Sequence, residues 1–219
     1  MFRKWLNWVL DFFLPKAPAV TELERMGAAG FAGRAQRSRE LNGKENLIAL
    51  FDYQDQLVRT AIWELKYRGN QTVAALLAEI LFDELTTELG EREIFENFER
   101  PLLAPIPLSK KRQRERGFNQ CQILLDELSK LDSGKIFEIR KNLLIKIKDT
   151  PSQTKTDSRA SRLKNLRGAF AVNESIDATT NRNIIVIDDV TTTGATLSEA
   201  RKVLRRAGAK KVLGIALAH

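Results

Sequence analysis

Cysteine and histidine are almost missing from this sequence: among 219 residues there is one of each, Cys121 and His219. A structural zinc site takes four such ligands, so none can be assembled within the chain and no zinc is expected. A single cysteine also leaves no internal disulfide, which fits a reducing compartment and makes the cytoplasm the expected location. A serine–histidine triad would have to depend on the last residue, which argues against that chemistry. Long apolar runs are lacking too. The terminal stretch Met1 to Leu14 falls short of the roughly 20 residues of a membrane span, and Asn7 and Asp11 interrupt it. No transmembrane segment is expected. Its basic start and the following Ala17-Pro18-Ala19 imitate a signal peptide only weakly, and Asp11 argues against export.

What remains is the balance of an ordinary globular protein, with 43% hydrophobic and 29% charged residues, in a length that suits one domain with an appendage. Lysine and arginine number 36 against 28 acidic residues, a net charge of +8 that favours anionic partners. Phe2, Trp5, Leu6, Val9, Leu10, Phe13 and Leu14 recur at helical spacing, which predicts an amphipathic helix docked on the body or on a partner. Residues 16–44 show no clear period and read as a linker or a loosely structured module. From Leu47 the pattern sharpens. Leu47–Phe51 reads as a strand, Leu57–Leu65 as a helix ending near Gly69, and Val73–Leu85 as a second helix stopping near Gly90. Leu102–Ile106 is a short buried strand that Pro105 and Pro107 bring to an end. A basic loop over 110–117 follows, then a helix carrying Ile123, Leu124, Leu125, Leu128 and Leu131.

The C-terminal third is the most informative. Asn183 to Ile187 is a β-branched run of the kind found in parallel strands buried on both faces. It leads into Asp188-Asp189-Val190-Thr191-Thr192-Thr193-Gly194-Ala195-Thr196, an amphipathic helix, Gly208, and a second buried strand over 211–217. That is a βαβ unit with its loop at the carboxyl end of the first strand, where open α/β sheets bind ligands. Unpaired amides and the helix dipole favour phosphate there, four threonines add hydroxyl donors, and Gly194 lets the backbone bend closely around an anion. Two adjacent carboxylates would repel a bare phosphate, so they must face sugar hydroxyls or a cation carried by the ligand. A ribose 5-phosphate satisfies both halves. The blander alternative is an ordinary helix cap, but a cap needs one acid rather than two acids and four threonines. Neither a P-loop nor a Gly-x-Gly-x-x-Gly fingerprint is present.

The stretch Val186–Thr196 closely resembles the phosphoribosyl pyrophosphate loop of type I phosphoribosyltransferases. The rest of the chain resembles the ComF competence branch of that superfamily. The segments that carry this resemblance are Ala49-Leu50-Phe51-Asp52-Tyr53, Leu65-Lys66-Tyr67-Arg68-Gly69, Pro105-Ile106-Pro107-Leu108 through Arg112 and Arg114 to Arg116-Gly117-Phe118-Asn119-Gln120, Thr150-Pro151-Ser152-Gln153, and Arg162 to Phe170. The likeness covers about residues 47–219 and the apolar N-terminal helix. Residues 16–44 depart from it, because family members usually carry a four-cysteine zinc ribbon there.

The resemblance implies an α/β fold: a type I phosphoribosyltransferase-like parallel twisted sheet flanked by helices over 45–219, preceded by a short N-terminal helical appendage over 1–44. It implies that Asp188 and Asp189 are the catalytic acids, holding the ribose hydroxyls and touching magnesium at most indirectly. Thr191, Thr192, Thr193, Gly194, Ala195 and Thr196 would hold the 5-phosphate, and Pro107, Arg116 and Gly117 the pyrophosphate side. Lys155, Arg159 and Arg162 would belong to a flap that covers the substrate and excludes water. Magnesium would arrive with the phosphoribosyl pyrophosphate.

Three functions follow as expectations: phosphoribosyl transfer with pyrophosphate release, a non-catalytic sensor of that ligand or a nucleotide, and single-stranded DNA handling alongside DNA-uptake proteins. For the third, Arg112, Arg114 and Arg116 would line one side of an extended loop, with Phe118 and Tyr67 as base-stacking platforms. Both aromatics are also readable as plain packing residues, Lys110 and Lys111 as solvated surface, and Cys121 as a buried small residue.

Overall fold

A computed structural model of the chain describes residues 18–38, 46–133, 135–148, 166–173 and 179–219. The amphipathic helix expected over 1–14 and the flap residues Lys155, Arg159 and Arg162 lie outside that set.

The frame is a five-stranded sheet built from β1 (Leu47–Phe51), β2 (Leu102–Pro105), β3 (Glu138–Ile139), β6 (Asn183–Val190) and β7 (Lys211–Ala218). Its strands lie in the order β1-β7-β6-β2-β3, every neighbouring pair parallel. This is the expected α/β arrangement of a parallel sheet flanked by helices. Strand β6 is central and buried on both faces, which is why its sequence is continuously apolar rather than alternating. Successive side chains of a strand point to opposite faces, and the core divides accordingly. Ile185 and Ile187 join a cluster with Leu103, Leu213 and Ile215, covered by helices α1 (Pro18–Arg34), α2 (Gln56–Trp63), α3 (Gln71–Glu96) and α5 (Gln120–Leu131). Ile184 and Val186 join the opposite cluster with Leu102 and Ala104, covered by α6 (Ala195–Arg206) and the antiparallel pair β4 (Leu144–Lys146) and β5 (Phe170–Val172).

Helix boundaries follow local chemistry. Asp55 accepts the Leu57 and Val58 amides to open α2, Asn70 those of Thr72 and Val73 to open α3, and Asn119 that of Cys121 to open α5. Such caps satisfy amides that the first turn of a helix cannot. Helix α2 runs directly into a π-turn, Glu64–Arg68, closed by Gly69 in the left-handed conformation.

Three expectations need correction. Residues 18–34 are not a loose linker but helix α1, whose Leu23 and Phe31 are wholly buried in the main core. Gly27, at φ 70°, breaks the helix into two misaligned pieces, so neither half presents a readable period. Helix α3 does not stop near Gly90 but continues to Glu96, closed by Asn97 in the left-handed conformation. The basic segment is not a loop: Lys110–Arg116 is a short helix, α4, opened by Ser109 and closed by Gly117. In a helix, Arg112 and Arg116 share a face while Arg114 turns away, so the three arginines do not form one track.

Phe31 meets Phe51 of β1 edge-on at 5.4 Å between ring centroids, tying α1 to the sheet. Phe31→Ala should therefore cost about 3–5 kcal/mol, measured by urea unfolding. A loss within about 0.5 kcal/mol, the range of ordinary surface substitutions, would show α1 to be detachable.

Candidate functional site

The site lies at the carboxyl end of β6, where the pleat separates the two acids. Asp189 continues the face of Ile185 and Ile187; Asp188 continues the face of Ile184 and Val186, over which α6 packs. Both are buried, at 7% exposure for Asp188 and 4% for Asp189.

Asp189 is fully engaged. Lys66 of the π-turn places its ammonium 3.2 Å from Oδ1. Gln120, at the start of α5, donates from Nε2 to Oδ2 at 2.6 Å, and the Val190 amide donates to Oδ1 at 2.6 Å. Gln120 in turn accepts from Arg116 Nη1 at 2.9 Å, so the last arginine of α4 is linked to the carboxylate through one side chain. Asp188 accepts the Asp189 amide at 2.9 Å. Burial, and then the neighbouring charge of Asp189, push the Asp188 carboxyl up to about 7, with Lys66 opposing the shift. Two carboxylates this close in the interior ionise together only at high cost, and Lys66 lies beside Asp189 rather than Asp188.

The loop beyond β6 is a tight bend. Thr191 is buried, its amide donating to the Ala218 carbonyl at 2.9 Å and its Oγ1 accepting the Gly194 amide at 3.1 Å. Gly194 sits at φ +72°, and a Cβ there would come within 3.0 Å of Leu47 Cδ1. Thr192 is exposed, while Thr193 and Thr196 are half-buried. His219 Nε2 lies 2.5 Å from the Thr192 carbonyl oxygen, donating to it and bracing the outer side of the bend. Helix α6 opens at Gly194 with no side chain capping its amides, unlike α2, α3, α4 and α5. Uncapped amides at a helix start are an arrangement that favours an anion.

Pro107 is half-buried just past β2, whose end is tied to β6 by the Ile106 amide donating to the Ile187 carbonyl at 2.8 Å. Asn119 donates back to the Ile106 carbonyl at 3.0 Å. These contacts bring Pro107, Arg116, Asp188, Asp189 and the threonine bend to one end of the sheet. Phe118 is a packing residue: its ring fills the space beside Gly69, where a Cβ would meet it at 3.1 Å. Tyr67 is not packed away, at 47% exposure, and neither is Trp63, at 48%. Their rings lie 5.4 Å apart, with Arg116 over Tyr67 at 5.3 Å and Arg68 over Trp63 at 5.4 Å. Cys121 is buried, and burial together with Asp189 and Asp188 raises its thiol well above the ordinary value. It is no nucleophile.

Sequence reasoning assigned no role to Lys66, Gln120 or Trp63. The pleat of β6 held the missing signal. On a strand buried on both faces, adjacent acids enter different layers, so one of them had to meet a partner from the helices around α5.

An acid whose folded-state pKa is raised holds its proton more readily in the native state than in the unfolded chain. The contribution of Asp188 to stability is therefore complete below its ordinary value of 3.8 and is lost as pH rises through about 7, with a slope of up to about 1.4 kcal/mol per pH unit. Asp188→Asn should flatten that slope in urea-unfolding measurements between about pH 5 and about pH 8. An unchanged slope would mean that Asp188 ionises alike in both states.

No family model matches the chain. Among curated proteins it is similar to competence protein F of Haemophilus influenzae, 34% identical over 111 residues, covering 50% of this chain and 46% of that protein. It is also similar to DNA utilization protein YhgH of Escherichia coli O157:H7, 30% identical over 180 residues, covering 77% of this chain and 69% of the relative. Competence protein ComFC of Bacillus subtilis is 31% identical over 160 residues, with 73% and 58% covered. The chain thus spans about half the length of the Haemophilus relative. Among solved structures, a hypoxanthine phosphoribosyltransferase from Staphylococcus aureus overlaps 65% of this chain and 61% of its own, at 14% identity and a TM-score of 0.36. Glutamine phosphoribosylpyrophosphate amidotransferase from B. subtilis, complexed with ADP and GMP, overlaps 71% and 30%, at 16% identity and a TM-score of 0.37. These overlaps are partial and add nothing to the side-chain geometry.

Proposed function

The chain belongs to the family of competence protein F and DNA utilization protein YhgH, and from that premise we propose that it binds phosphoribosyl pyrophosphate with magnesium and transfers the phosphoribosyl group, releasing pyrophosphate, in the service of DNA uptake. One observation carries the reading: paired acids at the end of a central parallel strand run directly into a hydroxyl-rich bend and a helix whose amides no side chain caps.

In this reading the 5-phosphate sits in the bend from Thr191 to Thr196, against the amides of Ala195 and Thr196 and the threonine hydroxyls. Asp188 and Asp189 face the pentose hydroxyls. Arg116 and Gly117, with Pro107 beside them, take the diphosphate, and Lys155, Arg159 and Arg162 close over it. A guanidinium suits such oxygens because its donors form a planar fork. Carboxylates are hard oxygen donors of the kind magnesium prefers; with Lys66 already beside Asp189, contact to the ion through the pentose hydroxyls suits this site better than direct ligation. Bound with the substrate, magnesium supplies charge neutralisation of the leaving diphosphate. Positive charge develops at the sugar carbon as the bond to pyrophosphate lengthens, and the nearby carboxylates stabilise it electrostatically. Fixing both ends of the ligand leaves that carbon aligned for attack.

Calorimetric titration with phosphoribosyl pyrophosphate and magnesium tests the binding. The wild type should give saturable heat, and Asp188→Asn combined with Asp189→Asn should weaken binding about 100-fold or more, about 2.7 kcal/mol. No heat from the wild type would end both the enzyme and the sensor readings. Pyrophosphate release with candidate bases then separates an enzyme from a sensor.

A second reading, single-stranded DNA binding, is favoured by the exposed Trp63–Tyr67 pair and its two arginines, since stacking faces beside cations are what a base-bearing polyanion needs. Affinity for a labelled oligonucleotide, read by anisotropy, should then fall steeply with salt, the logarithm of the binding constant having a slope of about −0.7 per phosphate contacted against the logarithm of salt concentration. No binding at low salt would dispose of it.

A further inference from the structure

Lys66 is mostly withdrawn from solvent, with its side chain 17% exposed, and its ammonium lies against Asp189, whose side chain is 6% exposed. Among the described residues it is the cation paired with either acid. It arrives there by an unusual route. A regular helix continued from α2 would carry residue 66 on with the α-helical turn, but the chain widens into a π-turn over Glu64–Arg68 before Gly69 reverses it. Such turns are rare and concentrate at functional sites. The turn is held in place from three sides. Phe118 packs on Gly69, Asn70 donates to Glu64 Oε2 at 3.3 Å, and Arg116 lies over Tyr67. Lysine 66 is therefore delivered to Asp189 by the fold and is not a loose surface side chain.

We propose that Lys66 is the resident cation of this site, a positioning residue that offsets the charge of Asp189 and lowers the demand of the carboxylate pair for a metal ion brought by the ligand. The charges support it. Lys66 stands against Asp189, and Asp188, whose carboxyl is pushed up to about 7 by burial and the neighbouring acid, is the member of the pair that takes up a proton most readily. The lysine thus offsets negative charge at the pair before any ligand enters. Without the lysine, a proton or a metal ion brought by the ligand must offset the charge of the two acids. The other groups around Asp189 are neutral or remote: Gln120 from α5, the Val190 amide, the Cys121 thiol beneath, and Arg116 reached only through Gln120. The metal half of this inference rests on the phosphoribosyl pyrophosphate reading; the charge half does not.

Two measurements on wild type, Lys66→Met and Lys66→Arg test it. The first is calorimetric affinity for phosphoribosyl pyrophosphate with magnesium and with EDTA. In Lys66→Met the ratio of the two affinities should grow at least about tenfold over wild type, about 1.4 kcal/mol, with Lys66→Arg staying near the wild-type ratio. An equal ratio in wild type and Lys66→Met would overturn the metal half. The second is thermal melting at about pH 5.5 and about pH 8. Removing the cation strands an ionised acid at the higher pH, whereas at the lower pH the pair can take up a proton. The loss of Tm in Lys66→Met should therefore be larger at the higher pH, and Lys66→Arg should restore it. Equal losses at both would make Lys66 a packing residue and overturn the charge half. If wild type binds no phosphoribosyl pyrophosphate under either condition, the proposed function and the metal half fall together, and the melting result still decides whether Lys66 is the partner that sets the charge of the pair.

Discussion

Neighbouring residues on a strand must leave the sheet on opposite sides, and at Asp188 and Asp189 that requirement falls on two acids in a strand buried on both faces. A buried carboxylate without a partner is costly, so each layer had to supply one. On the side of α5 the answer is Lys66 and Gln120. On the side of α6 it is a backbone amide and a raised pKa. The remaining features of the site follow from meeting that requirement. The π-turn exists where Lys66 must reach inward, the start of α5 lies where Gln120 can donate, and Arg116 is positioned through Gln120 rather than by any contact with the strand.

The two basic motifs that lie far apart in the chain are thereby one assembly. The π-turn and the α4–α5 corner interlock through Gly69 against Phe118 and Arg116 over Tyr67, and both reach Asp189. Positive charge is thus placed on the same sheet end as the acids. Lys66 is committed to one carboxylate, and Arg116 stands one residue removed. A ligand entering here would meet cations at the rim and oriented amides in the bend, with the acids behind them. This order of charges suits a molecule that is a polyanion at its ends and a neutral sugar in the middle.

Much of this was legible in the sequence where burial and period agree. Strand β6, helix α6 and strand β7 were readable because a β-branched run, an amphipathic stripe and a second apolar run succeed one another without interruption. The acids and threonines stood out because their number exceeds what a cap requires. Legibility failed where tertiary contact overrides local pattern. Gly27 splits the apolar positions of α1 into two registers, so Leu23 and Phe31 do not read as one face. Gly90 looked like a stop, yet α3 continues to Asn97, which supplies the left-handed turn that ends it. Lys66 was hidden for a different reason: a lysine at the end of an amphipathic helix is normally a solvated residue, and only the widened turn carries it inside.

Strand β1 occupies the sheet's edge beside β7, with Leu47 aligned to Gly214 and Phe51 to Ala218. Until β7 has emerged, β1 has no partner strand in the sheet. Its other backbone contacts are with the segment just before it, where Arg37 bridges Phe51 in antiparallel fashion and the Ser38 amide donates to the Leu50 carbonyl. Most of the chain intervenes between β1 and β7. Pairings of such long sequence separation close slowly because a large loop must be ordered first. During that interval Leu47–Phe51 is a short apolar strand contacted on one side by residues 36–38 and open on the other, the kind of segment that recruits other chains. The nascent protein is thus exposed to aggregation until β7 pairs with β1, and a chaperone that shields Leu47–Phe51 over that interval would protect it.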